Sequence, residues 1–445
     1  MRSVSVFSAL AAASAVQAGP TQKRQSTFQP ITVKGNAFYA GDKRFFIRGV
    51  DYQPGASSGN IDPLAEPDVC RPDIEKFQKL GINTIRVYST DNSKDHSVCM
   101  NLLKDAGIYV VLDANNPKYS INRAKPGPSY NPTYLQSVFA TIDEFAKYEN
   151  TMAFFSGNEV IHDEKETTLA ARYVKAVTRD MRQYIRTRAS RPIPVGYSAA
   201  DVQQNRMQTA AYFNCGTDDE RSDFFAFNDY SWCTSDFVTS GWDKKVEAFK
   251  DYGLPIFLSE YGCIKNTRDF GEIGALMSPN MTHVYSGGLM YEYTYEENKF
   301  GIVTISDKAQ KGPRKELPEF AAFQKAMEKF PAPTDDAGAS PTQKAQACPT
   351  VDEHWMVSST LLPAMPEGAK VYLKDGAGKG PGLDGPGSQD AGGGDTADAE
   401  PGSGAGGSTG GSTDKSAGVM VKADRVAFVV SGLAMLSTIV GAVLL

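Results

Sequence analysis

Short apolar runs alternate with longer amphipathic segments through most of the chain. Eight of the apolar runs have the length and the aromatic and β-branched content of buried strands. Several segments between them repeat apolar residues at helical spacing, which predicts helices over 73–80, 97–106, 134–148 and 168–187. The strands are predicted over 45–50, 83–88, 108–112, 152–156, 193–197, 224–228, 256–259 and 288–293.

The alternation of strand and helix predicts an α/β fold, and eight such units predict a closed (β/α)8 TIM barrel. At 445 residues the chain is long enough for one barrel with appendages. A doubly wound open sheet is the alternative, but no Gly-rich phosphate-binding turn follows the first strand. The G-x-G-x-x-G match at 402–407 lies in low-complexity sequence without a preceding strand, so it does not indicate nucleotide binding.

Two of the predicted strands end in a carboxylate. The fourth is followed by Gly157, Asn158 and Glu159, and the seventh by Glu260. In a parallel barrel the C-terminal strand ends meet at one face, where active sites lie. Paired carboxylates there suit glycoside hydrolysis, in which one protonates the leaving oxygen and the other attacks the anomeric carbon, and they stand ~5 to 5.5 Å apart in a retaining enzyme. A single Glu after a strand is more often the start of a solvated loop.

Composition excludes some classes of ligand. A net charge of −6 and a pI near 5.5 leave no basic stripe for a nucleic acid. The 20 Tyr and 23 Phe residues offer flat rings to the apolar faces of sugars, although most are expected in the core. The 4 His are scattered and no C-x-x-C spacing occurs, so neither a metal site nor a cofactor is expected.

Both ends of the chain carry apolar segments of the targeting type. Residues 1–18 have a basic start, a short apolar run and a small-x-small ending, which predicts a secretory signal. The uncharged apolar tail predicts a GPI-anchor signal over 419–445, with Ser412 or Ser416 as the attachment site. A tail-anchored transmembrane helix is the alternative, which the N-terminal signal and the missing basic flank disfavour.

Composition also sets the expected domain boundaries. Residues 19–330 contain all the predicted strands and helices and form the predicted catalytic barrel. Residues 331–374 begin with a Pro-rich stretch and contain Cys348, so we expect an extension anchored to the barrel. Residues 375–418 are mostly Gly, Ser, Asp and Ala, which predicts a disordered spacer because there is little to bury.

The 6 Cys of an exported chain predict three disulfides but do not fix their pairing.

Further motifs narrow the function. They are Arg-Gly-Val-Asp-Tyr-Gln-Pro-Gly at 48–55, Asn-Thr-Ile-Arg-Val-Tyr at 83–88, Lys-Tyr-Ser-Ile-Asn-Arg at 118–123 and Ser-Gly-Gly-Leu-Met-Tyr-Glu-Tyr at 286–293. Together with the two strand-end carboxylates, the chain from about residue 28 to 329 resembles the fungal GPI-anchored β-1,3-glucanosyltransferases of glycoside hydrolase family 72, the Gas/Gel/Phr proteins. Some members carry a cysteine-rich carbohydrate-binding module, for which this chain has no further Cys.

The resemblance implies a retaining enzyme that cleaves a β-1,3-glucan internally and transfers the new reducing end to the non-reducing end of another chain, elongating cell-wall glucan. Glu159 would be the acid/base and Glu260 the nucleophile. A secreted retaining endo-β-glucan hydrolase on the same barrel is the alternative, since both reactions need the same residues. A third possibility, a wall-binding adhesin with an inactive barrel, is disfavoured by the intact carboxylates.

Sugar contacts are also implied by the resemblance. Asn158 would bond the donor 2-hydroxyl, and Tyr291 would orient the nucleophile. Asp201 and Arg206 would contact the acceptor, although a surface ion pair is a serious alternative. The remaining implied donor contacts are Tyr88, Asn115, Asn122 and Arg123, with Gln53, Asp113, Tyr230 and Trp232 as further candidates at strand ends; packing at the barrel mouth is the alternative for the tyrosines.

The family resemblance selects one pairing of the cysteines and one cellular setting. The implied partners are donor and acceptor β-1,3-glucan chains and, through the GPI anchor, the plasma membrane. The resemblance also implies a secreted, monomeric enzyme at the outer face of that membrane, within reach of the cell wall. Asn280 begins an Asn-Met-Thr glycosylation sequon. The implied disulfides are Cys70–Cys99, Cys215–Cys348 and Cys233–Cys263.

Overall fold

Eight parallel strands close into a barrel in the computed structural model of the protein. The structure describes residues 28–233, 236–342, 344–357, 361–394 and 397–398. Its strands are β1 (Ile31–Lys34), β2 (Ala37–Ala40), β3 (Lys43–Phe45), β4 (Ile47–Asp51), β5 (Thr84–Val87), β6 (Tyr109–Asp113), β7 (Thr151–Asn158), β8 (Val195–Ala200), β9 (Phe224–Asp229), β10 (Ile256–Tyr261), β11 (Tyr285–Met290), β12 (Val303–Ile305) and β13 (Arg314–Glu316).

Strands β4 to β11 follow one another around the barrel in chain order, and β11 pairs with β4 to close it. Each overlaps one predicted strand, so the predicted (β/α)8 fold is confirmed. The helices are α1 (Ala56–Gly59), α2 (Pro67–Leu80), α3 (Ser97–Asp105), α4 (Pro126–Ser129), α5 (Pro132–Phe145), α6 (Ala171–Arg188), α7 (Arg206–Phe213), α8 (Trp242–Phe249), α9 (Glu272–Leu276), α10 (Pro279–Thr282), α11 (Pro318–Lys329) and α12 (Lys370–Asp375), with 3-10 turns at Lys165–Ala170 and Glu367–Ala369.

A small antiparallel sheet of β1, β2 and β3 covers one end of the barrel. Phe38 of β2 packs edge-on against Phe224 and Phe257, with ring centroids 5.7 and 5.9 Å apart, near the starts of β9 and β10. The sheet therefore closes the N-terminal end, opposite the strand ends that carry Glu159 and Glu260. These strands were not predicted from the sequence, because polar and charged residues interrupt β1 and β3 and neither forms an apolar run.

The helices on one side of the barrel have clear local causes. Asn131 precedes α5 and its side chain accepts from the Tyr134 N–H over 2.9 Å, while Pro132 occupies the first helical position. Phe139 of α5 then stacks on Tyr184 of α6, with ring centroids 4.2 Å apart and planes 3° apart. This packing fixes the two helices that border β7.

The extension over 331–374 lies on the outside of the barrel. Cys348 bonds Cys215 across 133 residues. Trp355 is fully buried, with its ring 5.4 Å from that of Tyr212. The other two disulfides are Cys70–Cys99 and Cys233–Cys263, so the structure has the pairing that the resemblance implies.

Residues 376–394, which we call the strap, lie against the barrel and differ from the disordered spacer expected over 375–418. Ser388 is fully buried, and the Ala377 N–H donates to the Tyr184 hydroxyl over 2.9 Å. The difference has a physical reason. A Cβ atom on Gly385 would lie only 2.1 Å from the Tyr119 hydroxyl, so glycine permits close backbone approach here.

Several expectations concern residues outside the described part of the chain. They are the signal over 1–18, the anchor signal over 419–445 and the attachment candidates Ser412 and Ser416. Within the described ranges, no helix is both long and apolar enough to cross a bilayer. Asn280, the expected glycosylation site, is exposed on α10.

Candidate active site

Glu260 lies near the end of β10, and three side chains from other strand ends donate to its carboxylate. Arg86 Nη1 and the Tyr88 hydroxyl donate to Oε1 over 3.2 and 2.9 Å. The Tyr230 hydroxyl donates to Oε2 over 2.6 Å. Only 7% of Glu260 is exposed, so these donors replace the water that a carboxylate otherwise binds. They fix its orientation on both oxygens.

Opposing effects set the ionisation of Glu260. The pKa of Glu260 is raised to about 7, and burial is the largest cause. The charge of Arg86 opposes this rise, and the nearby charge of Glu159 adds to it. The hydrogen bonds from Tyr230 and Tyr88 favour the ionised form and lower the pKa of Glu260. A nucleophilic carboxylate must be ionised, so burial opposes this role, while the charge of Arg86 and the hydrogen bonds from Tyr88 and Tyr230 favour it.

Arg86 is fully buried between two carboxylates. Its Nη2 lies 3.0 Å from Asp113 Oδ2, and its Nη1 lies 3.2 Å from Glu260 Oε1. Burial raises the pKa of Asp113 to about 6, and the charge of Arg86 opposes that rise. The motif at 83–88 contains Arg86, but no sequence pattern predicted that Arg86 binds Glu260. Asp113, a candidate from the sequence, acts here on Arg86.

Two more buried carboxyls surround this cluster. Burial raises the pKa of Asp51, at the end of β4, well above its ordinary value, and neighbouring Glu260 and Glu292 add to the rise. Burial also raises the pKa of Glu292 to about 8, although Asn298 Nδ2 donates to its Oε1 over 2.6 Å. Both shifts favour the neutral carboxyl, which opposes the accumulation of negative charge beside Glu260.

Glu159 follows β7 in an uncommon backbone conformation, with φ at +49°. Its N–H donates to the Ser198 carbonyl over 2.9 Å, and its Oε1 accepts from Asn228 Nδ2 over 2.8 Å. These bonds to β8 and β9 hold the strained residue at the barrel mouth. Glu159 is half-buried, so one carboxylate face remains accessible to a substrate.

Asn158 belongs to the same polar network. Its Oδ1 accepts from Ser198 Oγ over 2.7 Å and from Asn228 Nδ2 over 3.1 Å. Both bonds use the oxygen, so the NH2 group of Asn158 takes no part in them, and Asn158 lines a pocket at the barrel mouth. The sequence did not indicate Ser198 or Asn228, whose only signal is their place near strand ends.

A pocket of about 280 Å³ is lined by Tyr88, which donates to Glu260, and by Asn158, which precedes Glu159, but by neither carboxylate itself. Asn115 lines this pocket, and its Oδ1 atom is buried without a hydrogen-bond partner within the described ranges. The lining of the pocket contains most of the donor-site residues expected from the sequence: Gln53, Tyr88, Asp113, Asn115, Arg123 and Asn158.

Three residues expected to contact the donor, of which Arg123 does line the pocket, make other contacts within the protein. The Asn122 side chain accepts from the Ala124 N–H over 2.9 Å, so it caps a turn and does not line the pocket. Arg123 is exposed and donates to the Glu159 carbonyl. Tyr291 contacts the ring of Tyr230 edge-on, with centroids 6.0 Å apart. The donors to Glu260 are Tyr88 and Tyr230, so the orienting role expected for Tyr291 is at most indirect.

Asp201 and Arg206 form an ion pair that also lines a second pocket, of about 470 Å³. The other oxygen of Asp201 binds Lys245 Nζ over 2.6 Å, and Lys245 also donates to Asp229. The pair is thus part of a larger polar network. Trp232, another candidate from the sequence, is 5% exposed, which is too little for a sugar to stack on it.

One surface cluster has the composition of a metal site. The possible ligand atoms of His162, Asp163 and Glu164 all lie within 4.8 Å of one another. Asp163 and Glu164 are exposed, and exposed acidic groups of this kind are common without a metal. The cluster therefore supports no metal assignment.

Known proteins match both the sequence and the barrel. A family model described as Glucanosyltransferase, that of glycoside hydrolase family 72, matches residues 20–331. The chain is 60% identical over 388 residues to the 1,3-beta-glucanosyltransferase gel1 of Aspergillus fumigatus, covering 86% of this chain and 85% of that protein. It is 49% identical over 360 residues to the 1,3-beta-glucanosyltransferase GAS5 of Saccharomyces cerevisiae, covering 79% and 73%.

A solved structure shares the fold. The structure of Saccharomyces cerevisiae Gas2p in complex with laminaritetraose and laminaripentaose superposes with a TM-score of 0.70 at 36% identity, covering 77% of this chain and 76% of that one. The family model spans the whole barrel, and the relatives match most of the chain. The protein therefore belongs to the glucanosyltransferases of glycoside hydrolase family 72.

Proposed function

We propose that the protein is a retaining β-1,3-glucan transglycosylase, which cleaves a β-1,3-glucan internally and joins the new reducing end to the non-reducing end of another chain. The observation that carries this proposal is the buried Glu260 carboxylate, oriented by Arg86, Tyr88 and Tyr230 at the same barrel mouth as Glu159. The activity named for gel1 and GAS5, and the laminari-oligosaccharides bound to Gas2p, support the choice of glucan.

The first half-reaction breaks the donor chain. The protonated Glu159 carboxyl gives its proton to the glycosidic oxygen, while a Glu260 oxygen attacks the anomeric carbon and the bond to the leaving chain breaks. The products are a glycosyl ester on Glu260, a released glucan fragment and an ionised Glu159. Tyr88 and Tyr230 hold the attacking carboxylate in line and resist its rotation as charge leaves it.

The second half-reaction transfers the bound chain. The Glu159 carboxylate removes the proton from a hydroxyl of the acceptor glucan, whose oxygen attacks the same anomeric carbon and displaces Glu260. The configuration is retained because the carbon is inverted twice. Water in place of the acceptor gives hydrolysis with the same residues, so the outcome depends on how well the site captures an acceptor.

The 280 Å³ pocket is the proposed donor subsite. Asn158 Nδ2 donates to the sugar 2-hydroxyl, a bond that strengthens as the ring gains positive charge. Asn115 Oδ1 accepts from a second hydroxyl, which would satisfy an otherwise unpartnered buried oxygen. The donor subsite also includes Tyr88 and Arg123.

The 470 Å³ pocket, with Asp201 and Arg206, is the proposed acceptor subsite. A carboxylate and a guanidinium in a fixed pair can accept from and donate to adjacent sugar hydroxyls. Transfer is then favoured over hydrolysis because the acceptor is held in place when the glycosyl ester forms.

We further propose the setting given by the chain ends. A signal over 1–18 exports the protein, and the signal over 419–445 is replaced by a GPI anchor at Ser412 or Ser416. The enzyme acts as a monomer at the outer face of the plasma membrane, within reach of the cell wall, and Asn280 carries an N-glycan. Phospholipase release of the anchored protein and mass spectrometry of the released C-terminal peptide test the attachment site.

The product profile tests the reaction. Incubation with a reduced laminari-oligosaccharide should give chains longer than the substrate, together with the matching short fragments. A profile with fragments alone, at all substrate concentrations, would replace transglycosylation by endo-hydrolysis.

A further inference from the structure

The loop after β6 links the proposed donor subsite to the strap. We call residues 115–123 the donor loop. Asn115, Asn116 and Ser120 of this loop line the donor pocket. A tight turn shapes it, because the backbone groups of Asn116 and Tyr119 exchange two hydrogen bonds of 3.0 Å. The donor loop thus has one side toward the sugar pocket and another available for packing.

The strap makes a row of hydrogen bonds to this loop. The Ser388 N–H donates to the Lys118 carbonyl over 3.0 Å. The Gln389 Nε2 donates to the Ser120 carbonyl over 2.8 Å and lies 3.2 Å from the Ser120 hydroxyl. Ser120 is therefore a direct link, because it lines the donor pocket and binds the strap.

Two further contacts anchor the strap beside the donor loop. The Gly382 N–H donates to Asn92 Oδ1 over 2.9 Å, in the loop after β5. Asn131, the residue that caps α5, donates from Nδ2 to the Ser388 carbonyl over 2.7 Å. Ser388 is fully buried. The strap is therefore attached to the barrel at Gly382, ahead of its contact with the donor loop, and again at Ser388, within that contact.

The glycines of the strap are needed for this contact. A Cβ atom on Gly380 would lie 2.2 Å from Asn92 Oδ1, and one on Gly385 would lie 2.1 Å from the Tyr119 hydroxyl. Neither distance is compatible with a side chain unless the partner moves. Glycine-rich sequence is typical of flexible linkers, but in the strap the glycines permit the backbone to lie directly on the barrel.

We propose that the strap is a positioning element that holds the donor loop in its sugar-binding conformation and thereby sets the affinity of the donor subsite for glucan. The inference rests on the donor subsite proposed above. A loop that is ordered before binding loses less conformational entropy when the sugar arrives, so preorganisation increases affinity without any contact between strap and sugar.

The test compares two strap variants with two matched controls in the full chain. Gly385→Ala forces the strap away from Tyr119, and Gln389→Ala removes the bonds to Ser120. The controls Asp384→Ala and Asp390→Ala change exposed neighbours in the same segment. All four are made in a Glu159→Gln background to prevent turnover, and the dissociation constant for laminarihexaose is measured by titration calorimetry.

We expect the two strap variants to bind about three- to tenfold more weakly, since each loses the equivalent of one or two hydrogen bonds of loop support, and the controls to stay within about twofold of the parent. Hydrogen exchange over 115–123 should become faster in the strap variants alone. In the active background, KM for the glucan donor should rise while kcat changes little.

Unchanged affinity in Gln389→Ala, the milder variant, would overturn the proposal, as would equal losses in the controls. A third variant separates this failure from failure of the donor subsite itself. Asn115→Ala should weaken laminarihexaose binding whether or not the strap matters. If Asn115→Ala binds laminarihexaose as tightly as the parent, the proposed donor subsite is wrong. If Asn115→Ala binds more weakly but the strap variants keep the parent's affinity, only the strap proposal fails.

Discussion

Tyr230 donates its hydroxyl hydrogen to Oε2 of Glu260 over 2.6 Å, on the oxygen that Arg86 and Tyr88 do not contact. The bond favours the ionised carboxylate and so opposes the effect of burial on the pKa of Glu260. Tyr230 is therefore expected to control both the orientation and the charge of the nucleophile.

Replacing Tyr230 with Phe should raise the pKa of Glu260 above its value of about 7, because a hydrogen bond to the charged form is lost. Since the nucleophile must be ionised, the acidic limb of the kcat/KM profile should move to higher pH, by about one unit. Donor cleavage measured from pH 4 to 9 gives this profile. Tyr295→Phe, at a tyrosine that is 39% exposed, is the control and should leave the limb in place.

Glu159→Gln and Glu260→Gln should each remove nearly all turnover and leave the melting temperature close to that of the wild type. Each carboxylate makes or breaks a different bond, and an amide can neither exchange the proton nor attack the anomeric carbon. Initial rates on laminari-oligosaccharides test this. One tenth of the wild-type rate in either variant would contradict the assignment, and azide rescue with an activated donor would separate the two roles.

The barrel and its two strand-end carboxylates were accessible from sequence, because eight apolar runs and two Glu residues after strands are local signals. The partners of Glu260 were not. Arg86 and Tyr230 come from β5 and from the segment after β9, and only closure of the barrel brings them to one carboxylate. Long-range polar pairs of this kind have no periodic signature.

The strap illustrates a different limit. Gly-rich composition predicts disorder because it offers little to bury. The same composition permits a backbone to lie within hydrogen-bonding distance of a neighbouring loop, as at Gly385 beside Tyr119. Composition alone does not distinguish these cases, since the deciding factor is the surface that the segment meets.

His96 forms a buried, doubly paired imidazole next to α3. Its Nε2 lies 2.7 Å from Asp62 Oδ2 and its Nδ1 lies 3.1 Å from Glu144 Oε1. Burial disfavours the charged ring, but the hydrogen bonds and charges of Asp62 and Glu144 raise the pKa of His96 to about 9. Nearby Lys147 and Tyr148 also bind Glu144 and complete the cluster.

This pairing predicts a pH-dependent contribution to stability. The folded pKa of His96 lies above the unfolded value of ~6.5, so the stabilisation is fully present below pH ~6.5 and is lost as the pH rises through about 9. His96→Gln should lower the melting temperature most below pH ~6.5 and much less near pH 10. His162→Gln, at a ring that is 38% exposed, is the control for loss of a surface imidazole.

The Cys215–Cys348 disulfide should stabilise the barrel by about 2–5 kcal/mol, because it closes a loop of 133 residues and restricts the unfolded chain. The double variant Cys215→Ala/Cys348→Ala should therefore unfold at lower denaturant concentration, with donor cleavage retained at temperatures where it is folded. Peptide mapping without reduction checks the bond directly. A free thiol at Cys348 would contradict both the pairing and the anchored extension.

Asp201 and Arg206 give the last prediction, on the choice between acceptor and water. If the pair binds the acceptor, its removal weakens capture of the second sugar after the glycosyl ester has formed. Asp201→Ala and Arg206→Ala should therefore raise the ratio of hydrolysis to elongation, with donor cleavage reduced far less than in the Glu159 variants. The measurement is the product ratio from reduced laminari-oligosaccharides at low acceptor concentration.

The alternative is a structural ion pair that contributes ~0 to 1 kcal/mol and does not touch the acceptor. Because Asp201 also binds Lys245, its removal leaves a buried cation with one partner fewer, so Arg206→Ala is the cleaner variant. Lys250→Ala, which breaks an exposed pair with Glu247, is the control for loss of a surface charge pair. A product ratio in Arg206→Ala equal to that of the control would assign the pair to structure alone, since an acceptor contact must change the competition with water.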